Sequence, residues 1–582
     1  MRETGKISVN SDNLMPIIKK WLYSDRDIFI RELVSNGVDA ISKYKKLVEM
    51  GEATAQENYK VTVKAEDNTL VFTDNGIGMT KEEVEKYINQ VAFSGAADFL
   101  EKYEDAGSSI IGHFGLGFYS AFMVSDKVTI KTLSYKKDAQ AVLWESDGSD
   151  EYTISDCDKT TVGTEITLYL NDESKDFTEK NNVLPVLEKY CGFMPVEIYF
   201  DGEEKAVNDT LPLWLKNPSE CTEEEYKAFY HKVFTDFNDP LFWIHLNVDY
   251  PFNLKGIIYF PKLTENPESI QGQIKLFNNQ VFVADNIKEI IPEFLMLLKG
   301  VIDCPDMPLN VSRSFLQNDR TVQQISNHIT KKIADRLIGM AKNEKETYEK
   351  YWDDINVFIK YGCLREQKFN DRLKEYIIYK TTDDTYVTLE KYLENKEVKE
   401  VYYATDKNRQ AQYVEMAKNE GNTVVILGGM LDIPFMQHIE MQNMGVRFKR
   451  VDASIKGEDV KNHLFDMLCE ATKKITGENV EVKAQGLKTK APAILLLDEY
   501  SRRMDEAQRY YGMNNLGGLK YTLLLNTESD LIKNINSMQD ENKKQKSIKY
   551  VYDLARLSHG SMKAEELSEF VERSAEILEE TL

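Results

Sequence analysis

Two glycine-rich segments constrain the fold of this chain more than any other feature of its sequence. The first, Asp74-Asn75-Gly76-Ile77-Gly78-Met79, directly follows Leu70–Thr73, a segment that predicts a β-strand. The second, Gly112-His113-Phe114-Gly115-Leu116-Gly117-Phe118, leads into Phe118–Val124, which we expect to be helical. A simple turn is the plainer interpretation of the first segment, since Asn-Gly favours turns. Glycines also let a flat ring approach the backbone, and N–H groups at a helix start can bind phosphates.

The segments around these glycines alternate between helical and strand-like patterns. We expect a helix from about Asp25 to Met50, a hairpin of Tyr59–Lys64 with Leu70–Thr73, and further strands at 127–133, 141–145 and 164–170. The mixture predicts an α/β fold. The glycine spacing is not that of a dinucleotide-binding fingerprint, and no GxxxxGK[ST] Walker A sequence occurs in the chain.

The predicted first helix carries an unusual polar stripe. At ~100° per residue, its members lie within an arc of about 60°. They are Glu32, Asn36, Asp39 and Lys43. A solvated helix face is the commoner explanation of such a stripe. Acid, amide and amine groups on one face can also line a polar pocket, hold a metal ion and polarise water.

The chain is long enough for several domains. Its 582 residues predict about three to five domains, at ~100–200 residues each. The polar segment 201–210 is predicted to be a short linker, and a second α/β region starts near Leu211. In that region apolar residues recur every four positions and predict a helix with one buried face. They are Ile325, Ile329, Ile333 and Leu337.

A third region runs from roughly Lys456 to the end and closes with two amphipathic helices. The residues of their apolar faces are Ile548, Val551, Tyr552 and Ala555 in the first helix and Leu567, Phe570, Val571, Ser574 and Leu578 in the second. Gly560 is expected to end the first helix. Such helices pack on their own domain or on a partner subunit, and both alternatives stay open at this point. The charged segment Gln539–Lys546 before them is predicted to be a solvated loop.

Charge and composition exclude several classes of protein. Asp and Glu number 96 against 73 Lys and Arg, and the net charge of −23 disfavours nucleic acid and anionic lipid as partners. The longest aliphatic run, Ala493–Leu497, is too short to cross a membrane, and the N-terminal residues lack the apolar core of a signal peptide. The six cysteines are scattered singly without a CxxC pair, so neither disulfides nor a zinc site is predicted. We therefore expect a cytoplasmic protein.

In chain order, the motifs Glu-xxx-Asn, Asp-x-Gly-x-Gly and Gly-xx-Gly-x-Gly resemble the ATP-binding motifs shared by gyrases, heat-shock chaperones, histidine kinases and mismatch-repair proteins. Longer segments resemble the ninety-kilodalton heat-shock chaperone family more closely. They are RELVSNGVDAISK, DNGIGM, IGHFGLGFYSAF, LPLWLKNPSE and PLNVSRSFLQ. The length and the short linker are similar to the bacterial members, of the high-temperature protein G type. The resemblance starts near Lys6, is most specific over the first ~320 residues, and extends close to the C-terminus.

The resemblance implies a multidomain α/β (α+β) protein. Residues 1–200 are expected to form a two-layer α/β sandwich that binds ATP, with a lid at about 94–117. After the linker at 201–210, an α/β middle domain is expected at 211–455, and a mixed C-terminal dimerisation domain ending in helices at 456–582. The implied function is that of an ATP-driven molecular chaperone in the stress response.

The resemblance also implies roles for individual residues. Asp74 matches the residue that binds the adenine amino group, Asn36 the Mg²⁺ ligand, and Glu32 the general base. The remaining expected nucleotide contacts, in the purine pocket and around the phosphates, are Asp39, Lys43, Gly78, Met79, Gly112, Gly115, Gly117, Phe118 and Thr164. Arg313 matches the middle-domain arginine that reaches the γ-phosphate, and Gln317 matches its companion, so hydrolysis is expected to require inter-domain closure.

The sequence departs from the family pattern around the lid. Tyr87 stands where relatives have a nucleotide-contacting Asn, and Phe93 stands where they have a lysine. His113 replaces a common Gln and is interpreted as a lid-packing residue. The chain ends EILEETL and lacks the acidic C-terminal peptide that binds tetratricopeptide-repeat co-chaperones, so those partners are not expected.

The expected partners are non-native client proteins, a second copy of the chain through its C-terminal domain, and other chaperones. Trp214 is a candidate for client contact and is equally well explained as a core residue. The segment Tyr500–Met513 is a second candidate, because its residues Met504, Tyr510, Tyr511 and Met513 suit client binding when they are exposed. A DNA-handling ATPase of the topoisomerase or mismatch-repair type is the alternative function, but it needs basic surfaces. A sensor histidine kinase fits less well, because the ATP motifs here come first in the chain and no membrane segment is predicted.

Overall fold

The computed structural model describes residues 25–582 except 91–92, 94, 96–98, 100–111, 113–114, 150, 263–272, 287–291, 308–319, 454, 456–459, 461, 478, 511–518 and 582. The chain divides into two compact units, Met1–Arg336 and Leu337–Leu582. The finer division into three domains with a linker at 201–210 stays a prediction. None of the helices in the described ranges is both long and apolar enough to cross a membrane.

A seven-stranded sheet forms the first part of the first unit. Its described strands are β1 (Lys60–Glu66), β2 (Thr69–Asp74), β3 (Ser125–Leu133), β4 (Val142–Ser146), β5 (Thr153–Asp156), β6 (Gly163–Leu170) and β7 (Glu197–Phe200). Their order is β5-β4-β3-β6-β2-β1-β7, and every neighbouring pair is antiparallel except β1 and β7. The predicted hairpin is confirmed, with Val63 opposite Phe72.

Helices pack against this sheet and complete a two-layer α/β arrangement. They are α1 (Ile28–Glu49), α2 (Lys81–Tyr87), α3 (Lys180–Cys191) and the 3₁₀ helices Gly117–Met123 and Asp172–Thr178. α1 lies against β1 and β2 and also contacts α3 and the first 3₁₀ helix. Its apolar residues Leu33, Val34 and Ile41 are buried. Gly37 lets α1 approach the sheet closely, because a Cβ atom there would lie 3.1 Å from the Val61 side chain. The expected α/β fold is confirmed.

A five-stranded sheet follows in the same unit. Its described strands are β8 (Phe242–Val248), β9 (Leu254–Phe260), β10 (Gln273–Asn278), β11 (Val281–Asp285) and β12 (Lys299–Asp303), in the order β11-β10-β12-β9-β8 with only β10 and β12 parallel. The helical elements are α4 (Glu223–Val233), α5 (Arg320–Asn343) and the 3₁₀ turns Leu213–Leu215, Pro218–Glu220 and Glu293–Leu297. α5 crosses the boundary between the units. Its four predicted stripe residues are fully buried, which confirms the helix and its face.

The second unit combines short sheets with helices. Its described strands are β13 (Ile378–Lys380), β14 (Tyr386–Thr388), β15 (Glu400–Ala404), β16 (Val424–Ile426), β17 (Arg447–Arg450), β18 (Val480–Gln485), β19 (Ala493–Leu497) and β20 (Tyr521–Asn526), arranged as β13-β14, β16-β15-β17 and β18-β20-β19. Its helices are α6 (Lys345–Arg365), α7 (Gln367–Leu373), α8 (Leu389–Leu393), α9 (Ala411–Asn419), α10 (Asp432–Gln442), α11 (His463–Thr476), α12 (Glu499–Tyr510), α13 (Asp530–Ser537), α14 (Glu541–His559) and α15 (Ala564–Thr581). Ala493–Leu497 is a buried strand.

The two terminal helices are present, and one prediction beside them is wrong. The segment Gln539–Lys546 was expected to be a loop, but α14 begins at Glu541 within it. Asp540 caps this helix by accepting from the N–H groups of Asn542 and Lys543, so the charged residues form a solvated first turn. Gly560 ends α14 as predicted, in a left-handed conformation with φ +74°.

Candidate active site

A cavity of about 780 Å³ lies in the first unit between α1, the end of β2 and the second glycine-rich segment. Every predicted site residue that the structure describes lines it. These residues are Glu32, Asn36, Asp39, Lys43, Asp74, Gly78, Met79, Gly112, Gly115, Gly117, Phe118 and Thr164. Arg313, Gln317 and His113 lie outside the described residues, as does most of the expected lid at 94–117.

The polar stripe of α1 faces this cavity rather than solvent. Glu32 and Asp39 are each only 5% exposed, and Asn36 and Lys43 are half-buried. Asp39 accepts a hydrogen bond of 2.7 Å from the backbone N–H of Gly112. The helix therefore presents acid, amide and amine groups to the cavity, and one of them also holds the start of the glycine segment.

Asp74 ends β2 at the wall of the cavity. Its Oδ1 accepts from the Gly76 N–H at 2.8 Å, which folds the glycine turn back onto the carboxylate. Burial raises the pKa of Asp74 to about 7, although the N–H groups of Gly76 and Thr164 and the charge of Lys159 act in the opposite direction. The neighbouring Thr164 hydroxyl lies 3.0 Å from the hydroxyl of Thr132. The carboxylate is thus set beside backbone donors and a polar threonine pair.

Glu32 is held by its neighbour in the sequence. The Arg31 guanidinium donates from Nε at 3.0 Å and from Nη2 at 2.8 Å to Glu32 Oε1, and both residues are buried. A Cβ atom on Gly117 would overlap Glu32 Oε2, so a larger residue there would displace this oxygen. Arg31 thus occupies Oε1, and Oε2 lies beside the glycine segment at the cavity.

Comparison with known proteins identifies the family. The family described as Hsp90 protein matches residues 177–582, and the one described as histidine kinase-, DNA gyrase B- and HSP90-like ATPase matches residues 25–167. The chain belongs to the Hsp90 family. It is 44% identical over 573 residues to the chaperone protein HtpG of Bacteroides thetaiotaomicron, covering 92% of this chain and 84% of that protein. It is 44% identical over 583 residues to HtpG of Porphyromonas gingivalis (93% and 85% covered), and 35% identical over 438 residues to HtpG of Oceanobacillus iheyensis (69% and 70%).

Membership of the Hsp90 family confirms the resemblance seen in the sequence. The N-terminal match makes this protein an ATPase, and the family makes it an ATP-dependent molecular chaperone. None of these findings favours the alternative of a DNA-handling ATPase.

The cavity is suited to Mg²⁺ that is held mainly by a phosphate ligand. Among the described residues there is no cluster of three or more His, Cys, Asp or Glu side chains that would cage a metal ion. Asn36 and Glu32 line the same cavity and lie one helical turn apart on α1. Mg²⁺ keeps several waters and takes one or two protein oxygens plus substrate phosphates, so a single amide ligand such as Asn36 fits its chemistry.

Replacing Gly78 by alanine should destabilise this Hsp90 family member severely. Gly78 has φ +58°, and a Cβ atom there would overlap the backbone carbonyl of Leu133. We expect a loss of at least ~3 kcal/mol in the free energy of unfolding of the first unit. Gly51→Ala is the matched control: Gly51 has φ +77° but nothing within 4 Å, so only conformational strain of about 1–2 kcal/mol is expected. Urea unfolding measures both, and equal losses would contradict a clash at Gly78.

Sequence reasoning missed residues that position the predicted ones. Arg31 is one of them, and Thr132 is another, because its hydroxyl accepts from the Met79 N–H at 2.9 Å and meets Thr164. Thr132 lies in β3 opposite Thr164 of β6, and the sequence predicts both strands but not their pairing. The helix predicted after the second glycine-rich segment is present as the 3₁₀ helix Gly117–Met123.

Proposed function

We propose that this Hsp90 family member binds ATP with Mg²⁺ in the cavity of the first unit and uses its hydrolysis to cycle a dimeric clamp around client proteins. The observation that carries the proposal is the convergence of all twelve described site residues on one cavity. These residues come from α1, β2, β6 and both glycine-rich segments, so their meeting is a property of the fold and not of sequence proximity.

The adenine base is proposed to lie against Asp74. An ionised carboxylate accepts from the exocyclic amine, while Gly78 leaves room for the flat ring and Met79 and Thr164 form the walls. Asn36 is proposed to hold Mg²⁺, which when bound shields the phosphate charges and orients them. The backbone N–H groups of Gly115 and Gly117 are proposed to face the phosphates, since that of Gly112 donates to Asp39.

Glu32 is proposed to be the general base that takes a proton from the attacking water. The guanidinium of Arg31 occupies Oε1, which fixes the carboxylate and leaves Oε2 on the side of Gly117. Arg313 and Gln317 are proposed to supply a positive charge and a hydrogen bond to the γ-phosphate from outside the ATPase domain. Hydrolysis is then slow, because it waits for a conformational change.

The C-terminal helix offers a surface for the proposed homodimer. α15 is held to α14 by the Arg573–Asp553 ion pair at 2.6 Å and by stacking of Phe570 on Tyr550 at 5.2 Å. Away from these contacts it exposes apolar side chains, with Leu567 40%, Val571 59% and Leu578 64% exposed. Exposed aliphatic residues along one helix are typical of an interface. The apolar face predicted from the sequence is therefore divided between the fold and this surface.

Client proteins are proposed to bind α12 rather than Trp214. The Trp214 side chain is 1% exposed, donates to Asp303 at 3.3 Å, and packs among the rings of Phe193 and Phe277, so the core interpretation fits and surface contact does not. On α12, Tyr500 is 74% and Met504 44% exposed. Tyr511 and Met513 of the predicted client segment lie outside the described residues, as does the side chain of Tyr510.

The proposal places the protein in the cytoplasm, without nucleic-acid or membrane partners. Support comes from the net charge of −23 and from the absence of a membrane-crossing helix among the described residues. Cooperation with other chaperones is also proposed on the basis of the family.

The test is an aggregation assay with a heat-denatured model protein, run with ATP, with a non-hydrolysable analogue and without nucleotide. The purified protein should bind ATP, hydrolyse it slowly, suppress aggregation in a nucleotide-dependent way, and scatter light as a dimer of the 67.2 kDa chain. The double variant Tyr500→Ser/Met504→Ser should lose most of the suppression and keep the ATPase rate. A monomer, or suppression that ignores nucleotide, would contradict the proposed clamp; stimulation by DNA would revive the alternative function.

A further inference from the structure

Two stacked aromatic rings line the cavity at positions where the family pattern has polar residues. Tyr87, the last residue of α2, and Phe93 have ring centroids 6.1 Å apart and planes at 22°. The ammonium group of Lys86 lies 5.2 Å from the Tyr87 centroid and 5.1 Å from the Phe93 centroid, within cation–π distance of both. All three residues line the cavity. We refer to Lys86, Tyr87 and Phe93 as the aromatic–lysine wall.

The aromatic–lysine wall adjoins the second glycine-rich segment. A Cβ atom on Gly115 would overlap the backbone carbonyl of Phe93, so the two backbones are in direct contact. Gly117, two residues further on, lies against Glu32 Oε2. Asp74, by contrast, lies beside Gly163 and the turn at Gly76. The wall therefore lies with the glycine segment and Glu32, where the proposed function places the phosphates.

The charges that line the cavity show why a lysine in the aromatic–lysine wall matters for binding a triphosphate. The cavity is lined by the carboxylates of Glu32, Asp39, Asp74 and Glu83 and by the ammonium groups of Lys43, Lys86 and Lys136. Lys136 pairs with Glu83 at 2.7 Å. A triphosphate brings several further negative charges into the cavity, so its binding depends on the cations near it. Phe93 supplies no positive charge, although the family pattern has a lysine at that position.

We infer that Lys86, held over the rings of Tyr87 and Phe93, binds the phosphate groups of ATP and determines the preference of the site for a triphosphate over an uncharged nucleoside. The two rings replace the lysine of the family pattern with a platform that carries a neighbouring lysine. The inference rests on the proposed function, because it takes the cavity to be the ATP site.

The first experiment measures dissociation constants by isothermal titration calorimetry for ATP with Mg²⁺ and for adenosine. Lys86→Met should raise the Kd for ATP roughly tenfold and change that for adenosine by less than about twofold, since only ATP carries the charge that Lys86 meets. The salt dependence of ATP binding should weaken in the same variant. Lys81→Met is the matched control: Lys81 is an exposed lysine on the same helix that does not line the cavity, and its loss should change neither constant.

The second experiment tests the platform itself. Tyr87→Leu and Phe93→Leu keep Lys86 but remove a ring, and each should lower the preference for ATP over adenosine by about twofold to fivefold. Lys86→Met/Phe93→Lys returns a cation to the wall and should recover part of the ATP affinity. Circular dichroism and thermal melts check that each variant folds.

The outcomes separate this inference from the proposed function. If the parental protein binds neither ATP nor adenosine, the proposed function fails. If the parental protein binds ATP and Lys86→Met keeps the same ratio of ATP to adenosine affinity, the inference about Lys86 is overturned and the ATP site stands.

Discussion

Replacing Glu32 by alanine should abolish ATP hydrolysis while leaving ATP binding nearly unchanged. Glu32 is one of the two buried carboxylates on the cavity face of α1, and its Oε2 lies beside the glycine segment where the proposed phosphates lie. Removing a general base typically lowers a rate by about 10²–10⁴-fold. Affinity should change little, because adenine is proposed to bind Asp74 and Mg²⁺ to bind Asn36. Steady-state phosphate release and calorimetric Kd values measure the two effects separately.

The buried partner of Glu32 calls for a second variant. Glu32→Ala removes an oxygen that accepts two hydrogen bonds from the Arg31 guanidinium, which is 1% exposed, so this variant also loses stability. Glu32→Gln keeps an oxygen that can accept from Arg31 but cannot take a proton from water. It should be as inactive as Glu32→Ala and more stable in urea. Hydrolysis at the parental rate in either variant would show that another group is the base.

The geometry around Glu32 also shows which features of the site a sequence pattern can predict. Helical periodicity placed Glu32, Asn36, Asp39 and Lys43 on one face, and all four line the cavity. It could not show that this face is covered rather than solvated, because that depends on the glycine segment packing over α1 through contacts such as Asp39 with Gly112. Arg31 was missed for a related reason: it lies about 100° from Glu32 around the helix, and only its long side chain returns to the carboxylate.

Elsewhere in the chain, a single residue with a strong conformational preference predicted the structure correctly, whereas the composition of a segment did not. Gly560 ends α14 in a left-handed conformation, which glycine adopts readily, so the residue type alone predicts the end of the helix. The charged segment Gln539–Lys546 suggested a loop, yet Asp540 caps α14 within it, and the buried face of α14 begins later at Ile548. The stacking of Tyr87 on Phe93 was invisible in the sequence, since residues six positions apart meet only after α2 has ended.

Replacing Asp74 by asparagine should remove nucleotide binding altogether. In the folded protein Asp74 Oδ1 accepts from the Gly76 N–H, and the oxygen of an asparagine is expected to keep this hydrogen bond. The amide NH₂ then occupies the second position and faces the adenine amine, donor against donor. We expect at least a 100-fold rise in the Kd for ATP, since an ionic acceptor is lost and two donors are opposed. Calorimetry with adenosine isolates the effect, because adenosine lacks the phosphates.

The same substitution should change how stability depends on pH. The pKa of Asp74 is raised to about 7 in the folded protein, mainly by burial, whereas an unfolded aspartate titrates near 3.9. Between these values the folded state binds more protons than the unfolded state, so parental stability falls as the pH rises from about 4 to about 7 and the cost stays above that range. Asparagine cannot ionise. Asp74→Asn should therefore be more stable than the parent at pH 8 but not at pH 4.

The expected gain in stability of Asp74→Asn over the parent is limited, because Asp74 is only half-buried and faces a cavity that water can enter. We expect a gain on the order of 1 kcal/mol at pH 8, measured as the shift in urea unfolding midpoint at constant slope. In the parental protein adenosine binding should weaken as the pH falls below about 7, because the protonated carboxyl no longer carries the charge that the amine prefers. Adenosine affinity that is flat from pH 8 to pH 5.5 would mean that Asp74 stays ionised or does not meet the base. Asp74 lowers the stability of the protein without ligand but is needed to bind the base, so its presence is explained by ligand binding and not by stability.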